Sequence, residues 1–255
     1  DVYKRQLFFF FFVDVGSGSG AGQQQAQGSS KLTVGSFCSG YDAPWLAIES
    51  LLIASHFKNL FACDVDAKCR SVLHANHNDL SRGNIFADIT GINMKKLAEV
   101  VDPNKCNPLH LLMTAGFPCQ PFSMDGLALG TADSHRGLIV NYVIDGIDVM
   151  RPRGFLLENL EGLLENVEGF ENIMERLKAI KDSTFKGYNV YYNVLNSQTT
   201  SGIPHSRRRL FIVGVSKDLD SQFGPFQWPE DAPIMEGVSK YLSLIHISEP
   251  TRLNP

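Results

Sequence analysis

The chain has 255 residues, 44% hydrophobic and 20% charged, ordinary proportions for a globular protein and enough for one sizeable α/β domain. A net charge of −4 rules out the overall basic signature of a nucleic-acid binder while leaving room for a local basic groove. The five cysteines form no C-x-x-C pair, so neither a zinc site nor a disulfide framework is suggested, and reduced thiols in an intracellular compartment are the simplest reading.

The ends of the chain differ from its middle. Asp1–Gln6 and Ser243–Pro255 read as translated sequencing adapter, and Leu7–Phe12 is an apolar run too short to span a bilayer. It has neither an initiator Met nor a small-residue cleavage site, so no signal peptide is read there. Gly16–Ser30 is rich in Gly, Ser and Gln and reads as a flexible tail. The folded part is expected from about Lys31 to about Leu242.

Within it, Leu32–Ser39 is predicted as a strand, Ala43–Ser55 as a helix, Asn59–Asp64 as a strand and Asp66–His77 as a helix. Ile85–Asp88 and Leu109–Ala115 are the next strands, and Leu138–Met150 is an amphipathic helix. Gly154–Glu158 is a strand, Leu163–Lys181 a helix, and Tyr188–Leu195 and Arg209–Val215 two adjacent strands. Strands alternating with helices imply a doubly wound, mostly parallel α/β sheet covered on both faces.

Such sheets bind ligands at the carboxyl ends of their strands. The strand ending at Ala115 runs into Gly116-Phe117-Pro118-Cys119-Gln120-Pro121, which holds a cysteine between two prolines that fix the backbone. Cys119 is either a nucleophile or a buried, inert thiol. The first strand ends in Phe37-Cys38-Ser39-Gly40-Tyr41-Asp42, where Gly40 lets a ligand approach or simply makes a βα turn. No G-x-G-x-x-G is present, so a dinucleotide site is poorly supported. Asp64, about twenty residues on, stands where a ribose acceptor is usual; the alternative is a helix cap, which Asp66 would fill equally well. Asp88 can accept from an adenine amino group while Ile89 packs on its ring. The three turns together suggest an adenosine-containing ligand without a pyrophosphate.

G-F-P-C-Q-P-F-S, at Gly116–Ser123, resembles the nucleophile motif of the cytosine carbon-5 methyltransferases. The resemblance extends from about Leu32 to Val215, with blocks in family order. F-C-S-G resembles the first S-adenosylmethionine block, Asp64-Val65 the ribose-and-adenine block, and Asp88-Ile89 the adenine-edge block. D-S-H-R-G at Asp133–Gly137 closes the nucleophile loop, Glu158-Asn159-Leu160 resembles E-N-V, and Gly202–Arg209 resembles G-x-P-Q-x-R-x-R. Three positions depart: Asp42 stands for the family's second glycine, His135 is an extra residue, and His205 replaces Gln.

The resemblance implies a Rossmann-like catalytic domain over residues 31–216, with 217–242 opening a truncated target-recognition region. Its cofactor is S-adenosylmethionine, held by Phe37, Ser39, Gly40, Asp64, Val65, Asp88, Ile89, Gly116 and Pro118. Cys119 is the nucleophile: a thiolate added to carbon-6 makes carbon-5 of cytosine enamine-like. Glu158 serves ring N3, a role suited to a carboxyl that holds a proton. Arg207 and Arg209, sharing one face of an alternating strand, hold developing charge at O2, with Arg208 pointing away. The alternative for the arginines is a solvated turn or phosphate binding, and for Glu158 a surface position or a cap. Gln120 and Ser123 contact the target nucleotide, and Asn159 fixes the nucleophile loop. The partner is DNA, its target base taken out of the stack. No membrane, no metal and a monomer are expected, in the nucleus of a eukaryote or the cytoplasm of a prokaryote. A tRNA methyltransferase of the same family is the alternative, and a truncated or regulatory, inactive relative a second. The family's last two blocks are not found, so weak cofactor binding and poor folding are expected of this stretch alone.

Overall fold

The computed structural model describes residues 32–49, 57–77, 80, 84–100, 110–118, 139–201 and 205–231. The strands are β1 (Leu32–Phe37), β2 (Phe57–Cys63), β3 (Ile85–Phe86), β4 (Leu111–Ala115), β5 (Gly154–Asn159), β6 (Tyr188–Asn196) and β7 (Arg208–Ser216). The helices are α1 (Ala43–Glu49), α2 (Ala67–Asn76), α3 (Met94–Val100), α4 (Ile139–Met150), α5 (Val167–Ala179), α6 (Ser197–Ser201) and α7 (Lys217–Phe223). The seven strands form one sheet in the order β3-β2-β1-β4-β5-β7-β6. The pairs from β3 to β5 are parallel, whereas β7 runs antiparallel to both β5 and β6. The doubly wound, mostly parallel α/β sheet expected from the sequence is what the chain forms.

Every residue of β1 (LTVGSF) and β4 (LLMTA) is buried. Strands of that kind need cover on both faces. On one face Phe37, Phe61, Met113, Phe155 and Leu157 pack against Val143 and Ile147 of α4 and Ile173 and Leu177 of α5. The approach of α4 is close: a Cβ on Gly146 would lie 2.7 Å from Cε2 of Phe37. On the other face Leu32, Val34, Leu112, Val213 and Val215 meet Trp45 of α1 and Leu219 of α7. The strand order reverses between β1 and β4, so their carboxyl ends flank a crevice.

Three local departures from the predicted elements have physical causes. The helix expected over 163–181 is interrupted: a 3-10 turn covers Glu161–Glu165, and Asn166 then caps α5 by accepting the Gly169 N–H at 2.9 Å. The single-turn helix α6 and the short helices α3 and α7 have too few residues for a periodic signal. Finally, Phe223, Phe226 and Trp228 pack on the same apolar cluster as Leu219. The sheet's own core therefore takes in side chains beyond residue 216.

Among the described residues no helix is long and apolar enough to cross a membrane. Among the same residues, no group of three or more His, Cys, Asp or Glu side chains is placed to hold a metal ion.

Candidate active site

The loop after β1 turns sharply. Cys38, Gly40 and Asp42 all have left-handed backbones, with φ of 49°, 54° and 56°. Such a turn needs fastening, and Ser39 supplies it. Its N–H donates to Cys63 O at 2.9 Å, and its Oγ accepts the Cys63 N–H at 3.0 Å. The Ser39 hydroxyl, predicted to hold cofactor, is thus engaged in joining β1 to β2. Beyond it, Gly40 N–H donates to Oδ2 of Asp64 at 2.7 Å, and Asp66 N–H donates to Oδ1 at 2.9 Å. Asp66, not Asp64, caps α2 by accepting the Lys68 N–H at 2.7 Å. Each Asp64 oxygen retains a further lone pair. A Cβ on Gly40 would meet nothing within 4 Å, and Val65 beside the acid is 81% exposed. Arg70, which sequence reasoning passed over, fixes this corner by donating from Nη1 to the Asp64 and Val65 carbonyls at 2.8 and 2.7 Å.

Two predicted cofactor residues lie inward. Phe37 has no exposed surface; its ring packs on Phe61 at 4.9 Å between centroids, leaving no face for a ligand. Ile89 is buried in the same core as Met94 and Leu97. Strand β1 is covered on both sides, so its last side chain points into protein instead of the crevice. Asp88 caps the 3-10 turn at Ile89–Gly91, its Oδ1 accepting from the Thr90 N–H and hydroxyl at 2.9 Å each. Burial, and secondarily the Asp64 carboxylate, pushes the Cys38 thiol up to about 12. Burial, then Cys38, Asp64 and Asp88, raises the Cys63 thiol to about 12 against a lowering by Arg70.

The ends of β4, β5 and β7 form the second half of the site. Glu158 and Asn159 are consecutive on β5, so their side chains leave on opposite sides. Asn159, 4% exposed, donates from Nδ2 to Phe117 O at 3.1 Å and accepts the Leu160 N–H at 2.7 Å. It thereby ties the chain leaving β4 to the chain leaving β5. Oε1 of Glu158 lies 2.9 Å from Nε of Arg209. A Cβ on Gly116 would stand 3.7 Å from Oε2 of Glu158 and 3.6 Å from the carbonyl oxygen of Cys38. The exposed Gly116 thus lies beside both halves of the site, with the exposed Pro118 two residues further along the chain. Cys119, Gln120 and Ser123 lie outside the described residues, as do Asp133–Gly137 with His135.

The arginines divide as alternation predicts, except at Arg207. Arg209 turns to Glu158, and Arg208 turns the other way. Arg208 forms a two-pronged pair with Glu161, Nε to Oε2 at 2.6 Å and Nη2 to Oε1 at 2.7 Å. Its hydrogen bond holds the Glu161 carboxyl below the usual range. Arg207 precedes β7, and its N–H donates to Oδ1 of Asn196 at 3.0 Å. The structure does not bring its side chain to Glu158. His205 contributes its carbonyl, which accepts from the Ser197 hydroxyl at 2.6 Å. Glu161 carried no signal in the sequence; only its partner's place in an arginine run pointed near it.

A carboxylate–guanidinium pair thus stands beside a glycine-proline strand exit, with an open acidic corner across the switch point. The family model for C-5 cytosine-specific DNA methylase matches residues 32–251. Type II methyltransferase M.NgoBI of Neisseria gonorrhoeae is 36% identical over 174 residues, 68% of this chain and 46% of that protein. Type II methyltransferase M.BsuFI of Bacillus subtilis is 34% identical over 178 residues, 69% of this chain and 38% of that one. The chain thus spans less than half the length of these curated relatives. In fold it is similar to the Entamoeba histolytica methyltransferase EhMeth, with a TM-score of 0.55 at 16% identity over 81% of this chain and 57% of that one. It is likewise similar to S. pombe Dnmt2 methyltransferase, with a TM-score of 0.52 at 18% identity, covering 87% and 57%. By the match over most of its length, the chain belongs to the C-5 cytosine-specific DNA methylase family.

Proposed function

We propose that the protein methylates carbon-5 of cytosine in DNA, with S-adenosylmethionine as the methyl donor and Cys119 as a transient covalent nucleophile. The observation that carries this reading is the convergence of Gly116–Pro118, Glu158 and Arg209 at neighbouring strand ends, one residue before Cys119.

The acidic corner fits the adenosine part of the donor. Asp64 keeps acceptor capacity for ribose hydroxyls, Val65 offers exposed apolar surface, and the space at Gly40 is open. Bound there, the donor supplies an electrophilic methyl group. The Cys119 thiolate adds to carbon-6 of the base, and the ring electrons displaced toward carbon-5 make that carbon nucleophilic. As negative charge develops on the ring, Glu158 passes a proton to N3, and Arg209 donates to the neighbouring oxygen while fixing the carboxyl. Carbon-5 then takes the methyl group, leaving S-adenosylhomocysteine to be released. Carbon-5 loses its proton to solvent, N3 gives its proton back to Glu158, and the sulfur–carbon-6 bond breaks to return the Cys119 thiolate. A base inside a duplex exposes neither carbon to a thiol, so the target nucleotide leaves the stack first.

The test is incubation of the chain with S-adenosylmethionine and a pool of random-sequence duplexes containing 5-fluorocytosine. With fluorine at carbon-5 there is no proton to lose, so a denaturation-resistant protein–DNA adduct is expected, absent from Cys119→Ala. Adducts with 5-fluorocytosine tRNA and none with DNA would select an RNA substrate. No adduct with either, from a chain shown by thermal melting to be folded and supplied with saturating S-adenosylmethionine, would overturn the reading.

A further inference from the structure

Where the resemblance places a glycine, this chain has Asp42, and the structure shows what it does. Its φ is 56°, a left-handed conformation that glycine adopts freely and Asp tolerates. Its N–H closes the turn onto Ser39 O at 2.7 Å, and its carbonyl accepts the Leu46 N–H of α1 at 3.1 Å. Its carboxylate is completely buried, with Oδ2 3.3 Å from Nε2 of His77, whose side chain is 1% exposed. Neither head group makes a hydrogen bond among the described residues, so each faces the other as its polar neighbour. Trp45 of α1 stands edge-on to the His77 ring at 5.2 Å between centroids.

The position of His77 gives this pair its meaning. His77 caps the end of α2, while Asp64 lies just before its beginning. The loop after β1 is therefore held against both ends of one helix. Gly40 bonds Asp64 at the site, and Asp42 meets His77 in the interior. Two buried polar groups that have only each other as polar neighbours lose that neighbour if they part, so the pair resists rearrangement.

We propose that Asp42 and His77 are positioning residues for the cofactor loop: their buried contact holds the left-handed turn that a glycine would otherwise supply, and with it the Gly40–Asp64 corner. This rests on the reading of that corner as the S-adenosylmethionine site.

The experiment is calorimetric titration of S-adenosylhomocysteine into the chain and its variants, each checked by thermal melting. Asp42→Ala is expected to bind at least tenfold more weakly while still folded. The double variant Asp42→Gly/His77→Leu, which needs no pair, is expected within threefold of the unaltered chain. A folded Asp42→Ala with unchanged affinity would overturn the proposal, even with a lowered melting temperature, because the pair would then serve stability alone. If Asp42→Ala does not fold, the double variant decides. Affinity near that of the unaltered chain supports the proposal, and a tenfold loss in a folded protein overturns it. Failure of the unaltered chain to bind S-adenosylhomocysteine would instead remove the cofactor reading itself.

Discussion

Arg209 reaches from the start of β7 to set its Nε 2.9 Å from Oε1 of Glu158 at the end of β5. Two charged groups held this way act as one unit, and removal of either leaves the other misplaced. Glu158→Gln and Arg209→Ala are each expected to lower methyl incorporation by on the order of 10²–10⁴-fold. The double variant should be scarcely worse than the poorer single. Tritiated-methyl transfer measures this; simple multiplication of the two losses would show independent roles.

Asp64 offers a different kind of loss. A hydrogen bond to a charged group is worth roughly 1.5–3 kcal/mol, so Asp64→Ala should weaken S-adenosylmethionine binding by about ten- to a hundredfold. Calorimetry returning an unchanged affinity would remove Asp64 from the site. Preferential binding of NAD would change the cofactor.

Asn159 joins two strand exits through Phe117 O and the Leu160 N–H. Asn159→Ala orphans a carbonyl oxygen in a buried setting, which costs roughly 1–3 kcal/mol. Urea unfolding should show that loss. The 5-fluorocytosine adduct should also form more slowly, since Phe117 lies two residues before Cys119. A variant of lowered stability and unaltered adduct rate would confine Asn159 to the fold.

Cys38 and Cys63 give an alkaline test. Their folded thiols are raised from the ordinary 9.0 to about 12. A group raised in the folded state stabilises fully below its unfolded value and loses that contribution as pH climbs to the folded one. Urea midpoints should therefore fall between pH 9 and about 12, and less steeply in Cys38→Ala. An identical slope in that variant would assign the loss to other groups. At pH 8, iodoacetamide should leave both thiols unmodified in the folded protein.

What the sequence made legible follows from the range of each interaction. Period-two alternation correctly separated Arg208 from Arg209, because both lie in β7. It failed for Arg207, since the strand begins one residue later. The sequence leaves the helix cap open between Asp64 and Asp66, and the structure assigns it to Asp66. Phe37 shows a different limit: a motif gives a residue's place along the chain, but β1 is covered on both faces and its last ring turns into the core. Asp42–His77 and Glu161–Arg208 bring distant parts of the chain together, and no local pattern announces such pairs.

The antiparallel ladder between β5 and β7 aligns Asn159 with Leu210 and Glu158 with Phe211. That alignment works as a ruler. Everything between Leu160 and Arg207 can lengthen or shorten at its surface turns without moving Arg209 relative to Glu158, because the ladder measures from its own rungs. One residue added or removed within β7 between Arg209 and Phe211 would do the opposite. Arg208 or Leu210 would then face Glu158, and the neighbouring apolar side chains would turn toward water. Variation in this protein should therefore be generous in length outside the two strands and intolerant of a single insertion within them.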